Sequence, residues 1–91
     1  MKHVFTKPYE FEGKTYKEIE FDLENLKGSD YSIVKKQFVK EGNFAAILAT
    51  DSDFCTMILA RLTKQPIEFF MEMPATEYCK LTAEVTNFLI A

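Results

Sequence analysis

Val4-Phe5-Thr6-Lys7-Pro8-Tyr9-Glu10-Phe11-Glu12-Gly13-Lys14-Thr15-Tyr16-Lys17-Glu18-Ile19-Glu20-Phe21 is the stretch on which the fold turns. Val4 to Phe11 and Lys14 to Phe21 are rich in aromatic and β-branched residues, and Glu12-Gly13 stands between them as hairpin punctuation. Parity decides the register, because successive residues of a strand point to opposite faces. A two-residue loop at 12–13 would pair Phe11 with Lys14 and put Phe5, Tyr9 and Phe11 on the opposite face from Ile19 and Phe21. A three-residue loop ending with Gly13 in the left-handed conformation pairs odd with odd positions and gathers Phe5, Tyr9, Ile19 and Phe21 on one face. The sequence therefore predicts the three-residue loop, with Val4, Thr6, Glu10, Tyr16, Glu18 and Glu20 on the solvent side. An isolated hairpin is marginal in water, so its apolar face must lie on helices or on another copy.

Outward from the hairpin, Asp22 to Gly28 is a polar connection anchored by Leu23 and Leu26. Ser29-Asp30 is an N-cap pair, and Gly42 stands where a helix-ending glycine belongs. Between them Tyr31, Val34 and Phe38 form an amphipathic stripe. Asn43 to Thr63 is the most apolar segment and is expected to be the central core element. Phe44, Ile47 and Leu48 keep helical spacing, and the pattern resumes after Thr50-Asp51-Ser52-Asp53 with Phe54, Met57, Ile58, Arg61 and Leu62. One long helix with a flaw near Asp51 fits this pattern. Two helices, the second capped by Asp51 or Ser52, fit it better, because Thr, Asp and Ser compete locally for backbone hydrogen bonds. Gln65-Pro66 ends that element, a short turn spans Ile67 to Met71, and Pro74-Ala75-Thr76-Glu77 opens a last helix striped by Tyr78, Leu81, Val85, Phe88 and Leu89. The expected fold is a small α+β single domain over 1–91, with an antiparallel β-hairpin over 1–22 followed by a bundle of three to five helices over 29–91.

Composition narrows the functional classes. The 91 residues carry 11 Lys+Arg against 14 Asp+Glu, a formal charge of -3, and are 47% hydrophobic. The longest apolar run, Phe44 to Ala49, is far short of the ~20 residues of a membrane span. Arg61 is the single arginine and the lysines form no basic stripe beyond Lys35, Lys36 and Lys40, which disfavours a nucleic-acid partner. The N-terminus has no apolar signal-peptide core, so a cytoplasmic location is expected. Cys55 and Cys79, far apart and within helical patterns, read as reduced core thiols rather than a disulfide or metal framework.

Catalysis finds little support. His3 is the sole histidine, placed at a terminus of the kind that is often poorly ordered, so no nucleophile has a fixed base to activate it. Asp51 and Asp53 are spaced so that a helix would point them apart, and they suit a cap better than a metal site. No glycine-rich phosphate loop, C-x-x-C or H-E-x-x-H is present. No catalytic residue, metal or cofactor is expected. What remains is surface. Phe69-Phe70-Met71-Glu72-Met73 crowds four large apolar side chains into a short turn, and neighbouring positions on a helix cannot all face one core. Either Phe70 and Met73 plug the core while Phe69 or Met71 is a scattered exposed hydrophobe, or part of this surface binds a partner. The open hairpin edge is a second place for self-association.

Three stretches together resemble the small tail assembly chaperones of long-tailed bacteriophages and prophages. They are Phe11-Glu12-Gly13-Lys14-Thr15-Tyr16 in the hairpin, Leu59-Ala60-Arg61-Leu62-Thr63 leading to Pro66, and Met73-Pro74-Ala75-Thr76-Glu77-Tyr78 opening a helix that ends near Val85 to Leu89. Where the family pattern often has glycine this chain has Lys64, and where it has aspartate this chain has Glu77. The resemblance implies a non-enzymatic, cytoplasmic assembly factor that coats the tape measure protein, helps recruit tail tube subunits and leaves before the particle is finished. A longer frameshifted product is common in such systems. On that reading Phe69, Phe70, Met71 and Met73 are the client surface and the hairpin serves contacts between copies. The alternatives are a structural tail subunit and a small regulatory or inhibitory protein.

Overall fold

Glu12 and Gly13 both adopt positive φ, 50° and 79°, in the computed structural model, which describes residues 1–90. Two consecutive left-handed residues make the two-residue turn that matches strand twist, so Phe11 pairs with Lys14 and Tyr9 with Tyr16. This corrects the three-residue loop expected from parity. The apolar residues still gather on one face because the irregularity lies elsewhere. From the Tyr9–Tyr16 pair to the Val4–Glu18 pair, strand β1 (Lys2–Phe11) advances five positions while strand β2 (Lys14–Glu20) advances two. The odd excess inverts parity, so Phe5, Tyr9, Phe11, Ile19 and Phe21 are all buried. Pro8, which has no N–H to donate to a ladder, lies within this bulge. Tyr16, expected on the solvent side, is half-buried instead, with its ring centroid 5.0 Å from that of Phe69.

The rest of the described chain is helical: α1 (Gly28–Lys40), α2 (Ser52–Thr63), α3 (Ile67–Met71) and α4 (Ala75–Ile90), with single 3-10 turns at Leu23–Asn25 and Leu48–Thr50. Asp30 serves α1 from inside the first turn rather than before it, its carboxylate accepting the Lys27 N–H at 3.0 Å, so the helix starts earlier than Ser29-Asp30 suggested. Gly42, at φ 88°, ends α1 as expected. Its N–H donates to the Val39 carbonyl at 2.9 Å and that of Asn43 to the Phe38 carbonyl at 3.2 Å, the paired bonds of a Schellman ending.

The segment after Gly42 departs from the expectation of a core helix. Residues 43–47 are irregular, and Phe44 is 89% exposed, with Ile47 also exposed. The Schellman turn has already redirected the chain; Ala45 touches the core, and Leu48–Thr50 packs back against α2 and α4. Asp51 then caps α2, accepting the Phe54 N–H at 2.9 Å. Cys55 is buried on this helix, where burial pushes its thiol pKa up, but Cys79 is exposed on α4 rather than in the core.

Helix α2 is the hub, packing on α1, α3 and α4. Phe38, Phe54, Ile58, Leu59, Phe69, Phe70, Leu81 and Val85 are fully buried around it. The hairpin joins this core at two points. Tyr9 donates its hydroxyl to the Phe69 carbonyl at 2.7 Å, and His3 pairs with Glu77 at 2.5 Å. His3 is therefore buried and bonded, not loose. The terminus is tied down as well: the Met1 ammonium donates to the Phe21 carbonyl at 2.9 Å and the Phe21 N–H returns to Met1 at 3.0 Å. Burial pushes the Glu77 carboxyl up, but hydrogen bonds from His3 and from the Thr6 hydroxyl and amide outweigh it and hold the group below its ordinary 4.5.

Two predictions follow from these ties. Lys64, which ends α2, sits in the left-handed region at φ 59°, a conformation that strains any residue with a Cβ and suits glycine. Lys64→Gly is expected to stabilise the fold by about 1 kcal/mol and raise Tm by ~4–8 °C in thermal denaturation. Glu77→Gln is expected to cost about 1–3 kcal/mol at neutral pH by removing the negative charge and replacing one of the two acceptor oxygens of a buried group with an amide donor. Because the folded Glu77 carboxyl titrates below its unfolded value, the stabilisation is complete above that value and disappears as pH falls through the folded one. Tm measured against pH should show the gap between wild type and Glu77→Gln closing well below 4.5.

Candidate functional site

Helix α3 sorts its apolar residues by angle. Successive helical positions are turned by about 100°, so Phe69 and Phe70 face the core while Ile67 and Met71, four apart, share the outer side. Phe69 and Phe70 are fully buried, and Met73, just past the helix, is buried too. Met71 is 48% exposed and Ile67 36%. Of the four residues that the sequence offered as a partner surface, Met71 alone is open to a partner. Phe69 instead stands at the junction of hairpin and helices, its ring edge-on to Tyr9, Phe11 and Phe70 at 5.1–5.3 Å.

Met71 does not stand alone. With Ile67 it forms one wall of an open groove of about 530 Å³ between α1, α2 and α3. Ile33 and Val34 of α1 line the opposite side, and Met57 and Ala60 of α2 lie between. The polar rim is made by Gln37, Glu41, Asn43, Asp53 and Arg61. Arg61 holds the two longer walls together: its Nε and Nη2 reach the Asp30 carboxylate on α1 at 3.1 and 3.0 Å. The Lys27 amide and then this guanidinium keep the Asp30 carboxyl below its ordinary value. Asp53 is fixed across the far rim, accepting the Tyr78 hydroxyl at 3.2 Å. The Tyr78 oxygen in turn accepts the Thr56 hydroxyl at 2.8 Å, and burial, with Asp53 nearby, raises its pKa.

The chemistry available here is that of shape and apolar contact. A greasy floor with a charged rim accepts apolar side chains of another protein and satisfies the polar groups beside them. The buried His3–Glu77 pair, with the exposed Thr6 beside it, lies between the hairpin and α4, away from the groove, and its bonds close on one another. Among the described residues, no group of three or more His, Cys, Asp or Glu side chains is placed to hold a metal ion, and no helix is long and apolar enough to cross a membrane.

Sequence reasoning located this turn but not the groove. Ile33, Gln37 and Glu41 lie four apart on the flank of α1 beside the buried Val34–Phe38 stripe, and Ile67 lies four before Met71. That spacing was a usable signal for shared faces. Which flank another helix leaves uncovered depends on packing, and no local pattern encodes it.

The chain matches the family of phage tail assembly chaperone proteins, E, or 41 or 14, over residues 2–90. No curated protein and no solved structure matches it. Because the match runs almost from end to end, the chain belongs to the phage tail assembly chaperone family.

Proposed function

We propose that this chain acts without catalysis, in the host cytoplasm, as a chaperone for the tape measure protein, and that the groove around Met71 takes the client's apolar side chains. Family membership supports the class of function, and the open apolar groove beside an otherwise packed core is the observation that supports the place. A tape measure protein is long and helical, and its apolar stripes need cover until tube subunits surround them. A small acidic domain can supply that cover while its net charge opposes aggregation of the coated client. Tail tube recruitment and departure before the particle is complete belong to the same proposal. Phe69, Phe70 and Met73 serve the surface from beneath, by fixing α3, and Met71 with Ile67, Met57 and Ile33 meets the client.

The test is a tagged pull-down from cells expressing the native gene neighbourhood, with mass spectrometry and a light-scattering mass. Recovery of one very long helical protein carrying many copies of this chain is the expected result. Recovery of this chain alone, in a closed ring or tube, would replace the proposal by a structural tail subunit. Met71→Asp should keep the wild-type circular dichroism spectrum and Tm within a few degrees, since the side chain is already half in water. It should cut client recovery about tenfold or more, because the carboxylate would be buried against apolar groups. Phe69→Ala should instead cost about 3–5 kcal/mol of stability, so loss of client there would report unfolding.

A further inference from the structure

The two carboxylates on the groove's rim stand at one end of it. Asp30, in the first turn of α1, is bridged to Arg61, in the last turn of α2, so the two helices run antiparallel. Glu41, just past α1, and Asp53, in the first turn of α2, therefore lie together at the other end. Along α2 the eight positions from Asp53 to Arg61 make about 12 Å. Each carboxylate is held by a neutral donor. The Gln37 side-chain amide donates to Glu41 Oε2 at 3.1 Å, and the Tyr78 hydroxyl donates to Asp53 Oδ1 at 3.2 Å. Such bonds orient a carboxylate and leave its charge uncompensated. The ion pairs among the described residues are Lys2–Glu18, His3–Glu77 and Arg61–Asp30, so neither Glu41 nor Asp53 has a cationic partner. Lys36 and Lys40 border Glu41 from the outer flank of α1, in a second depression, without pairing with it. Arg61, the third charge on the rim, is matched by Asp30.

The groove is thus apolar along its floor, with a neutralised cation at one end and two unmatched negative charges at the other. We infer that it takes an amphipathic helix whose apolar stripe is bordered by lysine or arginine, and that Glu41 and Asp53 select that cation. The inference rests on the function proposed above and specifies which stretches of the client the groove prefers. A floor of about 12 Å accepts two turns of a helix, and apolar side chains spaced one turn apart would meet Met57 and Ala60 between the walls of Ile33 and Met71. Closing the groove strips water from the two carboxylates. A purely apolar stripe gives nothing in return, and an acidic border adds repulsion. A lysine or arginine lays its stem along the apolar floor and brings its charged head to the rim, where a charge-assisted bond replaces the lost water.

Two synthetic amphipathic peptides test this against the full chain, sharing one apolar stripe and bordered by lysines in one and by glutamates in the other. Fluorescence anisotropy is expected to show the lysine-bordered peptide bound about tenfold or more tightly at low salt, with the gap shrinking as salt is raised. In Glu41→Gln/Asp53→Asn, whose amides keep acceptors for Gln37 and Tyr78, that peptide should bind about three- to tenfold more weakly, the worth of two ion pairs on a rim. Glu10→Gln/Glu20→Gln removes the same net charge from exposed positions of the hairpin and should keep the full preference. Equal binding of both peptides by wild type, a preference undiminished in Glu41→Gln/Asp53→Asn, or an equal fall in the two double variants would overturn the selection and leave the groove standing as the docking place. Binding of neither peptide would overturn both the selection and the placement of the client in the groove, while the chaperone reading is judged separately by the pull-down.

Discussion

The junction at Phe69 is the constraint on which the rest of the structure depends. A two-stranded hairpin does not hold its shape alone in water, and a five-residue helix does not either. Here each completes the other. The Phe69 ring is enclosed by Tyr9, Phe11 and Tyr16 of the hairpin and by Phe70, and the Tyr9 hydroxyl takes the Phe69 carbonyl that so short a helix leaves unpaired. With that contact in place, the His3–Glu77 pair closes the far end of the hairpin on α4, and Met71 is turned outward on the opposite side of α3. One anchoring ring therefore fixes both the sheet-to-helix packing and the face that remains available.

Much of this was legible in order and composition, and the exceptions have physical causes. Hairpin, turn position, the Gly42 ending and the two proline-led starts were read correctly, and Asp51 is one of the two caps offered for α2, because each rests on local backbone chemistry. The loop length was misread because parity was assumed to hold along all of β1, while the structure spends its odd residue at the Pro8 bulge and leaves Glu12-Gly13 the tightest turn. Phe44 and Ile47 were misread because apolar spacing alone cannot tell a buried helix from an exposed apolar loop. The Schellman turn decides it, by sending the chain outward before a new helix can begin. Of the four residues offered as a partner surface, Met71 alone is exposed. Its companions on α1 and α2 come together only through the Arg61–Asp30 bridge and the packing of α2 on α1, contacts that span some thirty positions of sequence.

The two places where this chain departs from the pattern it resembles have different weights. Lys64 occupies a left-handed helix end, where a side chain brings strain and no compensating bond is made. Glu77 occupies a buried position where its carboxylate accepts from three donors, two on Thr6 and one on His3. A shorter aspartate at that place would have to draw β1 closer to α4 to keep all three. The first departure costs stability locally, and the second sets the distance between sheet and helix.

A chain of this size has a thin core, and how it divides its apolar residues limits what it can do. Phe69, Phe70 and Met73 are committed inside, so they cannot be lent to a partner without undoing the hairpin junction. Some of the apolar residues left outside differ in what supports them. Met71, Ile67 and Met57 ride on helices braced by the core, and Phe44 stands on a short irregular segment pinned at Asn43. Leaving both bare in a crowded cell invites indiscriminate association, which net negative charge slows but does not abolish.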